Sequence, residues 1–301
     1  SGTETRLLLT MLAREPIAEL SFVSLADFYK LYEQVKPLNL PQIIKNFNIS
    51  EQKSEMVLPT IVLYKQILSL TIIGEIVIPG DQFIDGITTI HIAEKTKCEW
   101  LGVIEEQIIS LAQSLGRKYR YDLHHAANVE KMSLSLFDRL AKVHGLGKRE
   151  RLLLQVAAIL HDIGKFVSLR RHYFYSYRLI VSSDILGVSE EEKVVIANVA
   201  YYHSKGTPTN ADPNFAELTR EQKVTVAKLA AIIRLADAVD RTHLQKITAY
   251  ELTLKGEELI ITVESENDLS LEEWTFIDKA DFFENVFGIK ATLRRIAKTY
   301  R

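Results

Sequence analysis

The sequence predicts a predominantly α-helical protein, with a C-terminal β-hairpin and a smaller mixed α/β segment in front. Three observations carry this expectation. Only 13 Gly and 7 Pro interrupt 301 residues, so long helices meet few breaks. From about Lys97 onward, apolar residues recur at helical spacing in one segment after another. Before that point, helix-like and strand-like runs alternate. At roughly 100–200 residues per domain the length suggests two, which we place at 1–96 and 97–301.

The first domain opens with a helix over Ser1–Glu15, whose Leu7, Leu8, Met11 and Leu12 share a side, entered through the small-residue turn Ser1-Gly2-Thr3. A second helix covers Leu25–Val35 behind Ser24, a suitable N-cap. Pro37 and Pro41 then punctuate the chain. A buried helix over Thr60–Leu70 feeds a strand, Glu75–Ile78, that stops at Pro79-Gly80. Ile87–Ala93 adds a strand or a short helix.

The second domain begins with a helix at Trp100–Leu115, interrupted by Gly116-Arg117. Helices follow at Asp122–Val143, Arg149–Ile163, Ser176–Leu186, Glu190–Tyr202 and Thr219–Arg241. Gly145-Leu146-Gly147 separates the first two, and Gly187-Val188-Ser189 ends one helix and caps the next. The polar stretch His203–Leu218 is a loop. Ile247–Leu254 and Leu259–Val263 alternate in period two about Lys255-Gly256-Glu257-Glu258, which is a hairpin. A helical region over Leu271–Lys298 follows it.

Composition removes several classes. With 47% apolar and 25% charged residues the chain is neither disordered nor fibrous. Lys+Arg 37 against Asp+Glu 39 leaves no basic excess for double-stranded nucleic acid or a membrane surface. A single cysteine, Cys98, excludes an intrachain disulfide and a thiolate-rich zinc site, and fits a reducing compartment. The most apolar stretch, Met56–Ile78, contains Pro59, Lys65, Gln66 and Glu75, too polar for a bilayer helix. No signal-peptide pattern occurs at the N-terminus, so a cytoplasmic protein is expected.

Chemistry concentrates at His161-Asp162-Ile163-Gly164-Lys165, which ends the apolar run Leu152–Leu160. Adjacent His and Asp offer one imidazole nitrogen and one carboxylate oxygen, a mixture suited to Mn, Fe, Zn or Mg. Two ligands cannot hold a catalytic metal, so neighbouring helices must supply more. Positions 125, 129, 132, 136 and 140 form one apolar stripe that includes His125, whereas His124 shares a face with Asn128, Lys131 and Ser135. Asp237 lies below Val226, Ala230 and Ile233 on a stripe where a bare carboxylate costs several kcal/mol. His125, His161, Asp162 and Asp237 thus form a candidate metal set from three helices. The alternatives are ordinary: Asp237 pairing with Arg234 or Arg241 along its helix, His125 as a hydrogen-bonded core histidine, and His161-Asp162 as a simple helix end.

The pattern of a His, a His-Asp pair and a distant Asp on separate helices resembles the HD superfamily of metal-dependent phosphohydrolases. It is similar, more closely, to the C-terminal domain of the exopolyphosphatase / guanosine pentaphosphate phosphatase family. The matching pieces are His125-Ala126, Leu136-Phe137-Asp138, His161-Asp162-Ile163-Gly164-Lys165, Ala200-Tyr201-Tyr202-His203, the run Leu229–Asp237, and Asp240-Arg241-Thr242-His243. They run from about residue 97 to the end. Where the family carries a second histidine after His172, this chain has Tyr175, a poor ligand at neutral pH. His172 and His203 are then the evident ligands for any second, weaker metal.

The first hundred residues resemble the second half of that family's actin-like phosphatase domain. Ser1-Gly2-Thr3-Glu4-Thr5 looks like its second phosphate loop, with Gly2 and Thr3 as phosphate contacts and Glu4 as a repulsive intrusion. Ile84-Asp85-Gly86 stands where the family has an Arg-Glu-Gly run. The first phosphate loop and catalytic carboxylate of that domain are missing from residues 1–120, as expected of a fragment.

The resemblance implies hydrolysis of the terminal phosphate of polyphosphate or guanosine pentaphosphate, with the helical domain extending a phosphate channel and supporting a homodimer. Lys165, Arg170, Arg171 and Lys205 would contact phosphate. Alternatively, the helical domain is itself a metal-dependent phosphohydrolase of a nucleotide or phosphoester, with Asp162, Lys165 and Arg241 in catalysis, or a non-catalytic sensor of such ligands.

Overall fold

The computed structural model describes residues 3–12, 20–79, 100–204 and 206–296. It divides the chain into two compact units, Ser1–Leu101 and Gly102–Arg301. Predominantly helical architecture holds in both.

In the first unit, helix α1 (Thr3–Met11) is followed by strand β1 (Leu20–Ser24), helices α2 (Leu25–Val35), α3 (Leu40–Phe47) and α4 (Glu51–Ser69), and strand β2 (Glu75–Pro79). Helix α2 has the bounds expected, and the Ser24 hydroxyl accepts from the Asp27 amide at 3.1 Å. β1 pairs antiparallel with β2, from Leu20 opposite Pro79 to Ser24 opposite Glu75. Helices α1, α2 and α3 all pack on α4, which contributes Val57, Ile61 and Leu68 to the core.

Two differences from the sequence reading concern proline. Pro41 does not break the chain but sits in the first turn of α3, where a missing N–H is harmless. Asn39 and Gln42 close a reciprocal capping box there, at 3.0 and 2.9 Å. Likewise α4 starts at Glu51 and continues through Pro59, nine residues before the expected start at Thr60. The expectations for Ser1-Gly2, Ile84–Gly86 and Ile87–Ala93 lie outside the described residues.

The second unit contains α5 (Trp100–Lys118), α6 (Leu123–Arg139), the short α7 (Ala141–His144), α8 (Lys148–Leu160), a 3-10 turn (Ile163–Phe166), α9 (His172–Val181), α10 (Glu190–Tyr202), the short α11 (Pro213–Ala216) and α12 (Arg220–Ala238). Strands β3 (Ala249–Lys255) and β4 (Glu258–Glu264), helix α13 (Ser270–Phe287) and strand β5 (Lys290–Ile296) complete it. Helix α6 packs on α8, α8 on α10, α10 on α12 and α12 back on α6, a closed ring of neighbours. Every residue of α12 from Leu229 to Ala238 is buried, so its two charged members, Arg234 and Asp237, need partners.

Several helix ends move. Helix α5 runs through Gly116, where a methyl group would stand 2.9 Å from the Tyr121 ring, so the glycine is a seat for that ring and not a stop. Helix α9 begins at His172, four residues before the expected Ser176. The hairpin is present with Gly256 at positive φ in its turn. The last region is not one helix: Gly288 ends α13 in the left-handed conformation. Strand β5 then pairs parallel to β4, giving a β3-β4-β5 sheet with α13 as the crossover. No helix among the described residues is long and apolar enough to cross a membrane.

Candidate metal centre

Helix termini bring the candidate residues to one place. His125 occupies the first turn of α6, which Asp122 caps by accepting from the His125 amide at 3.1 Å. His125 is fully buried and His124 exposed, as the helix face requires. His161 caps the C-terminus of α8, and Asp162 opens the 3-10 turn. His172 starts α9, His203 caps the C-terminus of α10, and Asp237 lies in the last turn of α12.

Asp162 is the hub. Its Oδ2 lies 3.7 Å from His125 Nε2 and 3.5 Å from His161 Nε2, while its Oδ1 lies 3.4 Å from His172 Nε2 and 3.5 Å from His203 Nε2. Asp237 Oδ1 is 3.3 Å from His125 Nε2 and 3.7 Å from His161 Nε2. The two imidazole pairs meet nitrogen to nitrogen, His125 with His161 at 3.1 Å and His172 with His203 at 3.2 Å.

The opposite ring nitrogens are already occupied. Nδ1 of His125 faces Asp240 at 3.0 Å, Nδ1 of His161 the Ala158 carbonyl at 2.7 Å, Nδ1 of His172 the Leu169 carbonyl at 3.2 Å, and Nδ1 of His203 the Ala200 carbonyl at 2.5 Å. Each oxygen accepts an Nδ1–H, which leaves Nε2 as a lone pair in the neutral ring. Facing lone pairs repel, so each pair needs a proton or a cation between its nitrogens. Asp162 Oδ1, moreover, is buried with no hydrogen-bond donor. Imidazoles whose outer ring nitrogens are held by hydrogen bonds, together with carboxylate oxygens, could hold a divalent cation. His125, His161 and Asp237 place one ligand atom each within 4.8 Å of one another, as do His161, Asp162 and His203.

Electrostatics follow from that packing. Burial pushes His125 down, but its hydrogen bonds to Asp237 and Asp240 outweigh it and lift its pKa to about 9. Complete burial dominates at His161, whose pKa falls to about 3 despite the nearby Asp162 and Asp237. Burial opposes ionisation of Asp162 and Asp237, yet the surrounding positive charge holds both carboxyls well below the usual range. Without a metal, the charge on His125 is the one that relieves the lone-pair contact with His161.

Lysines complete the arrangement. Lys279 on α13 donates to Asp237 Oδ2, leaving Oδ1 toward the histidines. Lys165 lies 2.5 Å from Asp162 Oδ2 and donates to His243 Nε2 at 3.1 Å. The helical alternative for Asp237 is not what the chain adopts: Arg234 instead donates to the carbonyls of Tyr202, Ser204 and Gly206, holding the loop after His203. Gly164 fits α9 against the turn, since a methyl group there would meet the His172 carbonyl at 2.1 Å.

Sequence reasoning missed Asp240, His243 and Lys279. Asp240 and His243 stood in the matched run Asp240–His243 without a role, and spacing on α12 could have suggested Asp240, three residues after Asp237. His243 stacks on His125 with ring centroids 3.5 Å apart and faces Asp122 through Nδ1 at 3.0 Å. Nothing local marked Lys279. Among the candidate phosphate contacts, Arg170 and Arg171 sit on the exposed turn before α9, Arg171 over the Phe174 ring. Thr3 is the first residue of α1, and Gly2 and Lys205 lie outside the described residues.

A cavity of about 570 Å3 opens beside the cluster. Its lining combines Lys165, Arg241, His172 and His243 with apolar Leu169, Leu271 and Trp274. Residues 109–279 match the family model described as Ppx/GppA phosphatase, domain III.

Proposed function

The chain belongs to the Ppx/GppA phosphatase family, and we propose that its second unit is an HD-type, metal-dependent phosphohydrolase centre for a nucleotide or other phosphoester. The observation that carries this is the meeting of four imidazole Nε2 atoms around Asp162, whose Oδ1 has no donor. His125, His161, Asp162 and Asp237 would hold one cation, and His172, His203 and the other oxygen of Asp162 a second, weaker one. With no thiolate in the set, Mn, Fe, Zn or Mg fits. A divalent cation there supplies activation of a water and polarisation of a phosphoryl oxygen.

The chain's own residues do the rest. Asp240 fixes the tautomer of His125, and the Ala158 and Ala200 carbonyls do the same for His161 and His203. Lys279 holds Asp237 in register. Lys165, about a third exposed, passes its ammonium from Asp162 to a phosphoryl oxygen in the cavity. Arg241 lines the same cavity and forms no ion pair among the described residues, so its guanidinium is available to a phosphate.

Metal analysis with hydrolysis of a phosphoester panel tests this reading. Purified protein is expected to retain Mn, Fe, Zn or Mg, and Asp162→Asn to lose both metal and turnover. A metal-free wild-type protein that cannot be loaded would overturn it.

A second reading rests on the family match alone. In it the chain is the C-terminal part of a cytoplasmic, homodimeric exopolyphosphatase-like enzyme, with residues 1–96 as part of an actin-like fold. The helical domain, residues 97–301, then lengthens the path for polyphosphate or guanosine pentaphosphate. Polyphosphate hydrolysis untouched by Asp162→Asn would favour it.

A further inference from the structure

We propose that the cavity beside the histidine cluster is a nucleotide site in which Trp274 and Leu271 carry the base while Arg241 and Lys165 take the phosphate. This rests on the phosphohydrolase reading and narrows its substrate class. The cavity's volume, about 570 Å3, lies within the roughly 300–1,000 Å3 of small-molecule sites. Its two kinds of lining make opposite demands on a ligand. Arg241 and Lys165 ask for an anion close to Asp162.

Trp274, Leu271 and Leu169 are 72%, 55% and 77% exposed, an apolar wall left in water beside those cations. A bare polyphosphate has nothing to place there. A nucleoside phosphate has both parts within one molecule, and an exposed indole is a stacking platform for a base. Thr275, also in the lining, offers a hydroxyl to ring or ribose polar groups. Trp274 and Leu271 lie three residues apart on α13, whose next inward residue, Glu272, accepts from Thr242. That bond ties the wall to the segment bearing Arg241 and His243, so both halves of the cavity are held together.

The test is calorimetric titration of the full chain with AMP, CMP, ribose 5-phosphate and tripolyphosphate, in EDTA and again with Mn. Tryptophan fluorescence provides a second readout. AMP is expected to bind at least about tenfold more tightly than ribose 5-phosphate, with CMP between. Trp274→Ala should erase that difference and Trp274→Phe restore most of it. Trp274 is a surface residue, so both variants are expected to fold.

Equal affinity for AMP and ribose 5-phosphate would overturn the proposal, as would tripolyphosphate binding that exceeds AMP. So would a wild-type dimer that Trp274→Ala converts to monomer, since the wall would then be an interface. A base-dependent difference that persists in a chain unable to hold Mn would support the nucleotide site while sinking the metal reading. A Mn-loaded chain indifferent to the base would do the reverse.

Discussion

With a cation at the proposed centre, removing it should convert the stability of this protein into a titration of His125. In the metal-free state its pKa is about 9, because Asp240 at 3.0 Å and Asp237 at 3.3 Å outweigh its burial. An unfolded histidine titrates near 6.5. The folded state therefore holds the proton more tightly, so the stabilisation is fully present below pH 6.5 and is lost as pH rises through about 9. The difference of about 2.5 pH units corresponds to roughly 3 kcal/mol at 1.36 kcal/mol per unit. For a unit of this size each kcal/mol moves Tm by about 2–4 °C, so EDTA-treated protein should lose roughly 6–12 °C between pH 6.5 and 9.5.

Calorimetric melting across that range is the assay. Mn-loaded protein should lack the decline, since a cation at Nε2 replaces the proton. Asp240→Asn should reduce the decline in EDTA by replacing a charge-assisted hydrogen bond to His125 with a neutral one. A metal-free protein whose Tm is flat from pH 6.5 to 9.5 would refute the reasoning, as would an identical decline with Mn bound.

Two further substitutions probe the support of the site. Lys279→Met strands the buried Asp237 carboxylate and should cost about 3–5 kcal/mol in denaturant unfolding. Adding Mn should recover part of that loss, and a cost unaffected by metal would argue that Asp237 faces no cation. Gly164→Ala forces a methyl group against the backbone of α9, 2.1 Å from the His172 carbonyl. It should cost about 1–3 kcal/mol and lower metal stoichiometry by moving His172, which metal analysis of the purified variant reads directly.

Much of the site was legible because His125 and Asp237 sit on periodic helices. The apolar stripe that carries Val129, Met132 and Leu136 also carries His125, and the stripe of Ala230 and Ile233 carries Asp237. Buried polar residues on such stripes require partners, whatever the fold. Where sequence and structure differ, a local signal carries a second meaning. Pro41 and Gly116 look like breaks, yet one suits a first helical turn and the other admits a ring. Strand β5 has no local mark, since its pairing partner β4 is 32 residues away in sequence at Glu258 opposite Lys290.

By itself the sequence determined the helical class, the faces that turn inward and the family. A 3.6-residue period is a local property, and it decides burial without knowledge of neighbours. Only the tertiary structure decided who meets whom. Asp240 reaches His125 across 115 positions, Lys279 reaches Asp237 across 42, and His172 meets His203 across 31. Those pairings depend on how α6, α8, α10 and α12 close into a ring and how α13 crosses back over it. Asp162 became the centre for the same reason: both of its oxygens face histidines brought from other helices, and no spacing along the chain records that.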